Sequence, residues 1–211
     1  MEPHTTFFYI MHGSQSSYTW GDHVTNVCSK VNRSLYYLMR LKNIIPQPLK
    51  KYLVQSLLFP LFDYADSVYQ DLTDESAYKL QKVQNSCVRF ICNILKYDHI
   101  SPYYNIFSLL KLVSRRKLHL LSLFFSIQSN NVPQYLSSFT RMSSLHNRYT
   151  RGSHMMQIPN HKSKTFNKSF HVTACRQWNA LPSIVKNSPS PASFKKQYNN
   201  LLFQEQQINN S

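Results

Sequence analysis

The chain has 211 residues, is 42% hydrophobic and carries a formal net charge of +15. A chain of this length and composition can bury a core as one domain or two small ones, which excludes global disorder. Its three glycines are too few for phosphate-binding glycine loops or for a fold built from many tight β-turns. We therefore expect a mainly α protein.

The positive charge is concentrated in the second half. Residues 1–98 contain 10 Lys and Arg against 8 acidic residues, a net charge of +2, whereas residues 99–211 contain 14 against 1, a net charge of +13. A field of this sign favours a polyanionic partner, and nucleic acid is the commonest one. A ribosomal-type or membrane-surface bias, or an AT-rich genome that favours Lys and Asn, would also account for the composition.

The first predicted helix follows an N-terminal segment, residues 1–19, that shows no sustained periodicity. Asp22 is a plausible N-cap for a helix that reaches Lys42. Its predicted buried positions follow a three-four spacing: Val24, Val27, Val31, Leu35, Leu38 and Leu41. A second, cationic stripe follows the same helix at offsets of zero, three, seven and ten: Lys30, Arg33, Tyr37 and Arg40.

The next two predicted helices complete a bundle. One runs from about Leu49 to Gln70 with a kink at Pro60, and its predicted inward positions are Leu49, Leu53, Leu57, Leu61, Tyr64 and Val68. The other opens at Thr73 and continues to about Leu95, with a core line of Ala77, Leu80, Gln84, Cys87, Ile91 and Ile94. Its cations Lys79, Lys82 and Arg89 repeat offsets of the first helix, so we predict two matching cationic stripes.

A short helix (Tyr103 to Lys111) and a longer one capped by Ser114 follow. The buried positions predicted for the longer helix are Leu118, Leu121, Phe124, Phe125 and Ile127. Arg115, Arg116 and Lys117 stand in its first turn and oppose the helix dipole, a penalty that an anionic partner would relieve. We predict these three as nucleic-acid contacts.

Composition changes at about Asn130 to Ser, Asn, Pro and basic residues, which predicts a linker at 130–144. Residues 145–211 are then predicted to form a small mixed α/β basic tail, with short strands, a helix at Ala174–Asn179 and a last helix at Ala192–Gln204. His146, Arg148 and Arg151 form a cationic cluster that is either a flexible basic loop or a phosphate contact. Phe170 and Trp178 are predicted as core anchors.

Asp63 and Asp66 are the only candidates for a catalytic carboxylate pair. Two-metal polymerisation needs carboxylates held close together on a rigid turn, whereas these two stand three residues apart in a helical pattern. We therefore expect a structural role and no catalytic residue, metal site or cofactor. The pairs His23 with Cys28, Cys87 with Cys92, and His171 with Cys175 lack the two close pairs of a structural zinc site.

The location follows from two further absences in the sequence. No secretory signal precedes the four cysteines, which predicts free thiols in a reducing compartment, the nucleus or the cytoplasm. No apolar run reaches about 18 residues, so no membrane span is expected.

Seven blocks in order resemble the end of the reverse transcriptase of non-LTR retrotransposons of the jockey-like and chicken-repeat-like groups. In this sequence they are Trp20-Gly21-Asp22-His23-Val24, Lys30-Val31-Asn32-Arg33-Ser34-Leu35, Leu57-Leu58-Phe59-Pro60-Leu61-Phe62-Asp63-Tyr64, Leu80-Gln81-Lys82-Val83-Gln84-Asn85, Pro133-Gln134-Tyr135-Leu136, Leu145-His146-Asn147-Arg148-Tyr149-Thr150-Arg151, and Ser169-Phe170 with Trp178-Asn179-Ala180-Leu181-Pro182 and Ser193-Phe194-Lys195. The resemblance covers residues 20 to about 203, and residues 1–19 depart from it.

The resemblance implies a thumb-like helical domain at 20–129 and a basic tail module at 145–211. In that family the palm, with its metal-binding aspartates, lies upstream of every matched block. We therefore expect a truncated copy or a gene model that starts inside the element, inactive by itself as an RNA-directed DNA polymerase. Its expected partners are RNA or an RNA/DNA duplex, bound without sequence preference, and the missing palm. The alternative is a non-catalytic interaction or scaffold module with a basic helical surface.

Overall fold

The computed structural model describes residues 20–69, 72–129, 132, 155–160 and 162–208. Within these ranges the secondary structure is helical and contains no β-strand, so the mainly α prediction is confirmed. The predicted short strands of a mixed α/β tail are wrong for the described part of that tail. The segment 1–19, the cluster of His146, Arg148 and Arg151, and the linker 130–144 apart from residue 132 lie outside the described residues.

The helices form two groups along the chain. The first bundle consists of α1 (Trp20–Arg40), α2 (Gln47–Leu53), a π-helical segment (Val54–Leu58), α3 (Phe59–Asp63), α4 (Asp74–Cys92) and α5 (Ser101–Ile106). The second bundle consists of α6 (Leu112–Gln128), α7 (Lys164–Asn167), α8 (Phe170–Ala180), α9 (Ser183–Lys186) and α10 (Pro191–Ile208). None of these described helices combines the length and apolar character needed to cross a bilayer.

Helices α1 and α4 follow the sequence predictions closely. The predicted valines of α1 and Leu35 are buried, but Leu41 lies beyond the end of the helix and is exposed. Thr73 caps α4 by accepting a hydrogen bond from the Ser76 backbone N–H at 3.2 Å. The helix ends at Asn93, whose left-handed φ of 58° stops the helical path. Side chains of α1 and α4 meet in one apolar core with α3 and the π-helical segment.

The face predicted for the second helix is wrong by one residue. Leu57, predicted to face inward, is 53% exposed, and Leu49 and Tyr64 are exposed as well. The buried positions are Lys50, Val54, Leu58, Phe59 and Phe62. Lysine can occupy the first of these because its Nζ donates to Asn93 Oδ1 at 2.7 Å and lies 5.6 Å from the centroid of the Phe90 ring. A hydrophobic pattern cannot anticipate a buried cation that is satisfied by a distant side chain.

The predicted kink at Pro60 takes the form of the π-helical segment. Phe59 N–H donates to Val54 C=O, five residues back, and the wider turn precedes a proline that cannot donate a backbone hydrogen bond. The helix then ends at Asp63 rather than at Gln70. Ala65 has a φ of 56°, so Asp66 lies in a turn, and Asp63 and Asp66 do not share one helix as predicted.

The second bundle has its own core, rich in aromatic rings. Phe125 stacks on Phe194 with centroids 4.5 Å apart, and Trp178 lies 5.4 Å from Phe124 and 5.9 Å from Phe194. Trp178 is thus a core anchor as predicted, while Phe170 packs at its edge. All five apolar positions predicted for α6 are buried.

Helix α6 belongs to this second core, although the predicted domain 20–129 placed it in the first. The change of core occurs at the segment Leu109–Leu112. Gln84 of α4 donates to Leu110 C=O at 2.9 Å, and Gln206 of α10 accepts from Lys111 N–H at 2.8 Å. Buried glutamines from both bundles thus hold one stretch of backbone. Independent folding of 20–129 stays a prediction.

Candidate nucleic-acid interface

The two predicted cationic stripes lie on neighbouring helices. Val31 and Leu35 of α1 share one core cluster with Leu80 and Cys87 of α4. The structure therefore places the two stripes on helices that pack against each other.

Three of the six stripe cations are exposed and available. They are Lys30, Arg33 and Lys82, whose side chains form no salt bridge or hydrogen bond with the described residues. Cations of this kind can pair with phosphates as positioning contacts that do not depend on base sequence.

The other three are engaged within the chain. Lys79 pairs with Glu75 at 2.7 Å, and both side chains are exposed. Arg89 donates to the C=O groups of Leu95 and Asp98, each at 3.3 Å. Arg40 lies over the Tyr36 ring. An exposed pair such as Lys79–Glu75 is weak and can exchange for a phosphate, whereas Arg89 stabilises the turn after α4.

The sequence around the available cations of α1 is free of acid. Residues 23–62 contain no Asp or Glu and six Lys or Arg. Four of these cations, Arg40, Lys51, Lys30 and Arg33, are exposed or half-buried on α1 and α2. An approaching polyanion would therefore meet no like charge from this stretch of chain.

The cations in the first turns of α6 have an anionic partner within the chain. Arg115 donates from Nε and Nη2 to the two carboxylate oxygens of Asp63, both at 2.6 Å, and lies 5.0 Å from the Phe59 ring centroid. Asp63 thus supplies, within the chain, an anionic partner of the kind that the sequence predicted for the cations at the start of this helix. Burial lowers the pKa of Arg116, and the neighbouring Tyr69 and Asp66 oppose that shift. Of the three predicted contacts only Lys117 is exposed; all three stay predictions.

Asp66 is held by a histidine on the next turn of α6. His119 Nδ1 lies 2.5 Å from Asp66 Oδ2 and 3.9 Å from Asp63 Oδ1. Burial raises the pKa of the Asp66 carboxyl, and the contact with His119 opposes that rise. Asp63 and Asp66 are three residues apart, and their partners Arg115 and His119 are four residues apart on α6. The two acids can therefore reach two successive turns of one helix. Sequence reasoning missed His119, because 53 residues separate it from Asp66 and no local pattern connects the two.

Asp63, Asp66 and His119 also have ligand atoms within 4.8 Å of one another, a spacing that a metal ion could use. Both oxygens of Asp63 are already occupied by Arg115, and Asp66 contacts His119. A cation would have to displace these hydrogen bonds. The arrangement is best described as an ion-pair cluster that joins the end of α3 to α6.

The thiols give no sign of reactivity. All four cysteines are free, and burial raises the pKa of Cys87 to about 12 and that of Cys92 to about 11. A thiol with a raised pKa is mostly protonated at neutral pH and is a poor nucleophile and metal ligand.

The chain matches no protein-family model, no curated protein and no solved structure at a level that would indicate a relationship.

Proposed function

We propose that this chain corresponds to the C-terminal, thumb-containing part of a non-LTR retrotransposon reverse transcriptase. It binds template-primer nucleic acid through the face shared by α1 and α4, and it does not polymerise by itself. The proposal combines the ordered sequence blocks with the helical bundle. A nuclear or cytoplasmic location belongs to the same proposal.

The observation that carries the proposal is the set of exposed cations on adjoining helices. Lys30 and Arg33 of α1 and Lys82 of α4 are exposed, and α1 and α4 share one core. The acid-free stretch 23–62 borders the same face. Lysine and arginine on rigid helices suit the regularly spaced phosphates of a duplex and read no base edges.

A scaffold module is the second candidate. It is favoured by the apolar side chains that the first bundle exposes near the end of α1 and on α2, among them Ile44, Leu49 and Tyr52. These could pack on a missing palm or on another protein. The two candidates differ in their dependence on salt, because phosphate binding releases counterions and apolar packing does not.

The test is the affinity of the full chain for a blunt RNA/DNA duplex over a series of salt concentrations, measured by fluorescence anisotropy. The site variant is Lys30→Glu, Arg33→Glu and Lys82→Glu together. The matched control is Lys164→Glu, Lys195→Glu and Lys196→Glu, three exposed lysines of the second bundle with the same change in charge.

We expect the wild type to bind with a steep dependence on salt. The site variant should bind more weakly and lose about 0.9 from the slope of log affinity against log salt for each phosphate contact removed, roughly 3 in all. The control should keep most of the slope. Equal losses in the two variants would place the binding elsewhere, and binding that does not depend on salt would favour the scaffold.

A further inference from the structure

Two neighbouring tyrosines near the end of α1 are exposed within the proposed cationic face. Tyr36 is 58% exposed and Tyr37 is 60% exposed. Tyr37 lies on the same stripe as Lys30, Arg33 and Arg40, because offsets of three, seven and ten fall on one side of a helix. The face therefore offers aromatic rings as well as charge.

The two rings are held in a defined arrangement despite their exposure. The guanidinium carbon of Arg40 lies 5.0 Å from the centroid of the Tyr36 ring, and Arg40 Nη2 donates to Tyr36 Oη at 3.1 Å. Tyr36 and Tyr37 meet edge to face, with centroids 6.0 Å apart and planes at 65°. Arg40 thus covers Tyr36 and supports the pair without burying Tyr37.

Exposed aromatic rings beside unpaired cations suit a particular form of nucleic acid. A base that is not paired and stacked in a duplex presents its flat face, and stacking of that face on an aromatic ring is tolerant of sequence. The interior of a duplex presents phosphates and base edges but no base faces. Tyr37 would therefore contribute nothing to binding along a continuous duplex.

We infer that the ligand of this face carries unpaired nucleotides, which stack on Tyr37 while the flanking phosphates pair with Lys30 and Arg33. This rests on the proposed function and specifies its substrate as a duplex with a single-stranded extension. A protein partner is the less favoured occupant. The cations that flank the rings are not neutralised by any acid in residues 23–62, and such a surface complements phosphate better than an average protein surface.

The experiment compares two RNA/DNA duplexes of the same length, one blunt and one with a single-stranded RNA extension, by anisotropy with the full chain. The variants are Tyr37→Ala, which removes the ring, and Tyr37→Phe, which keeps it. Tyr78→Ala is the matched control, because Tyr78 is also exposed on a helix but stands next to Asp74 and Glu75 in the first turns of α4. Circular dichroism verifies that each variant is folded.

We expect the extension to tighten wild-type binding by about fivefold to tenfold, at the lower end of base stacking on an aromatic ring. Tyr37→Ala should abolish that gain and leave blunt-duplex affinity unchanged, while Tyr37→Phe and Tyr78→Ala should retain it. Salt-dependent binding without preference for the extension would overturn the inference and leave the proposed function intact. Failure to bind any nucleic acid would overturn both. Loss of self-association in Tyr37→Ala, seen by sedimentation with unchanged binding of RNA, would assign the tyrosines to a contact between copies.

Discussion

The two bundles use aromatic residues and charge in opposite ways. The first exposes Tyr36 and Tyr37 beside available cations, whereas the second buries Phe125, Trp178 and Phe194 against one another. The first half is nearly neutral by count, with a net charge of +2 over residues 1–98, yet it carries the face that we propose for nucleic acid. The proposed face therefore does not lie in the segment with the larger net charge.

The low net charge of the first half reflects acidic side chains that are engaged in contacts within the chain. Asp63 is taken up by Arg115 and Asp66 by His119 of α6. Asp98 accepts from the Leu95 backbone N–H at 2.7 Å. These acidic side chains, which lower the net charge of the first half, thus form contacts within the protein. Some of their partners are cations of the second half.

Among the variants that test the difference between the bundles, Phe194→Ala should have the largest effect. Phe194 is fully buried and contacts Phe125, Trp178 and Tyr198, so its removal should lower the free energy of unfolding by about 3–5 kcal/mol. Phe166→Ala, at an exposed phenylalanine of α7, is the matched control and should cost much less.

Tryptophan fluorescence can follow each bundle separately in urea. The sequence has two tryptophans: Trp20 contacts His23 and Tyr69 in the first bundle, and Trp178 lies in the second core. Trp20→Phe and Trp178→Phe provide single-reporter backgrounds. If Phe194→Ala shifts only the Trp178 transition, the two cores unfold separately. An unchanged Trp178 midpoint would contradict the aromatic core.

A second test concerns the rotated face around the π-helical segment. Leu58 is fully buried, whereas its neighbour Leu57 is largely exposed. Leu58→Ala should therefore cost about 2–5 kcal/mol of unfolding free energy, and Leu57→Ala should stay within about 0.5 kcal/mol. The Trp20 transition in urea measures both. The reverse order would restore the regular helical face that the sequence alone predicted.

Local rules predicted several elements of both bundles. The cap at Thr73, the spacing of the α1 valines and the apolar line of α6 follow from residues within a few positions of one another. The wrong face of α2 and α3 has a different origin, because burying Lys50 depends on Asn93, 43 residues away. A pattern based on hydrophobicity assigns lysine to solvent whatever its distant partner.

The helices of the tail were only partly predicted for a similar reason. Helix α8 begins at Phe170, four residues before its predicted start, in a stretch whose Thr and polar residues indicate loops or strands. Packing of Val172 and Cys175 in the interior overrides that weak local preference. The same holds for the candidate site. Its cationic stripes could be predicted from residue spacing, whereas the pairing of Arg115 with Asp63 could be found only from the fold.

The smallest expected effect belongs to the link between the bundles. Asp63 ends α3 of the first bundle and Arg115 stands in α6 of the second, and their bidentate contact is partly buried, with the side chains 23% and 26% exposed. Asp63→Asn keeps the shape but removes the charge, leaving a half-buried guanidinium facing a neutral amide. A hydrogen bond to a charged group contributes about 1.5–3 kcal/mol, and solvent screening at this exposure places the expected loss nearer 1 kcal/mol.

Glu75→Gln is the control for that link, because it breaks the exposed pair with Lys79 and should leave stability unchanged. In the single-tryptophan backgrounds, Asp63→Asn should move the Trp20 and Trp178 midpoints apart, since the contact couples the two bundles. A double-mutant cycle with Arg115→Gln should show that the two losses are not additive. Additive losses would mean that Asp63 and Arg115 act separately, and the difference between the bundles would then rest on their cores alone.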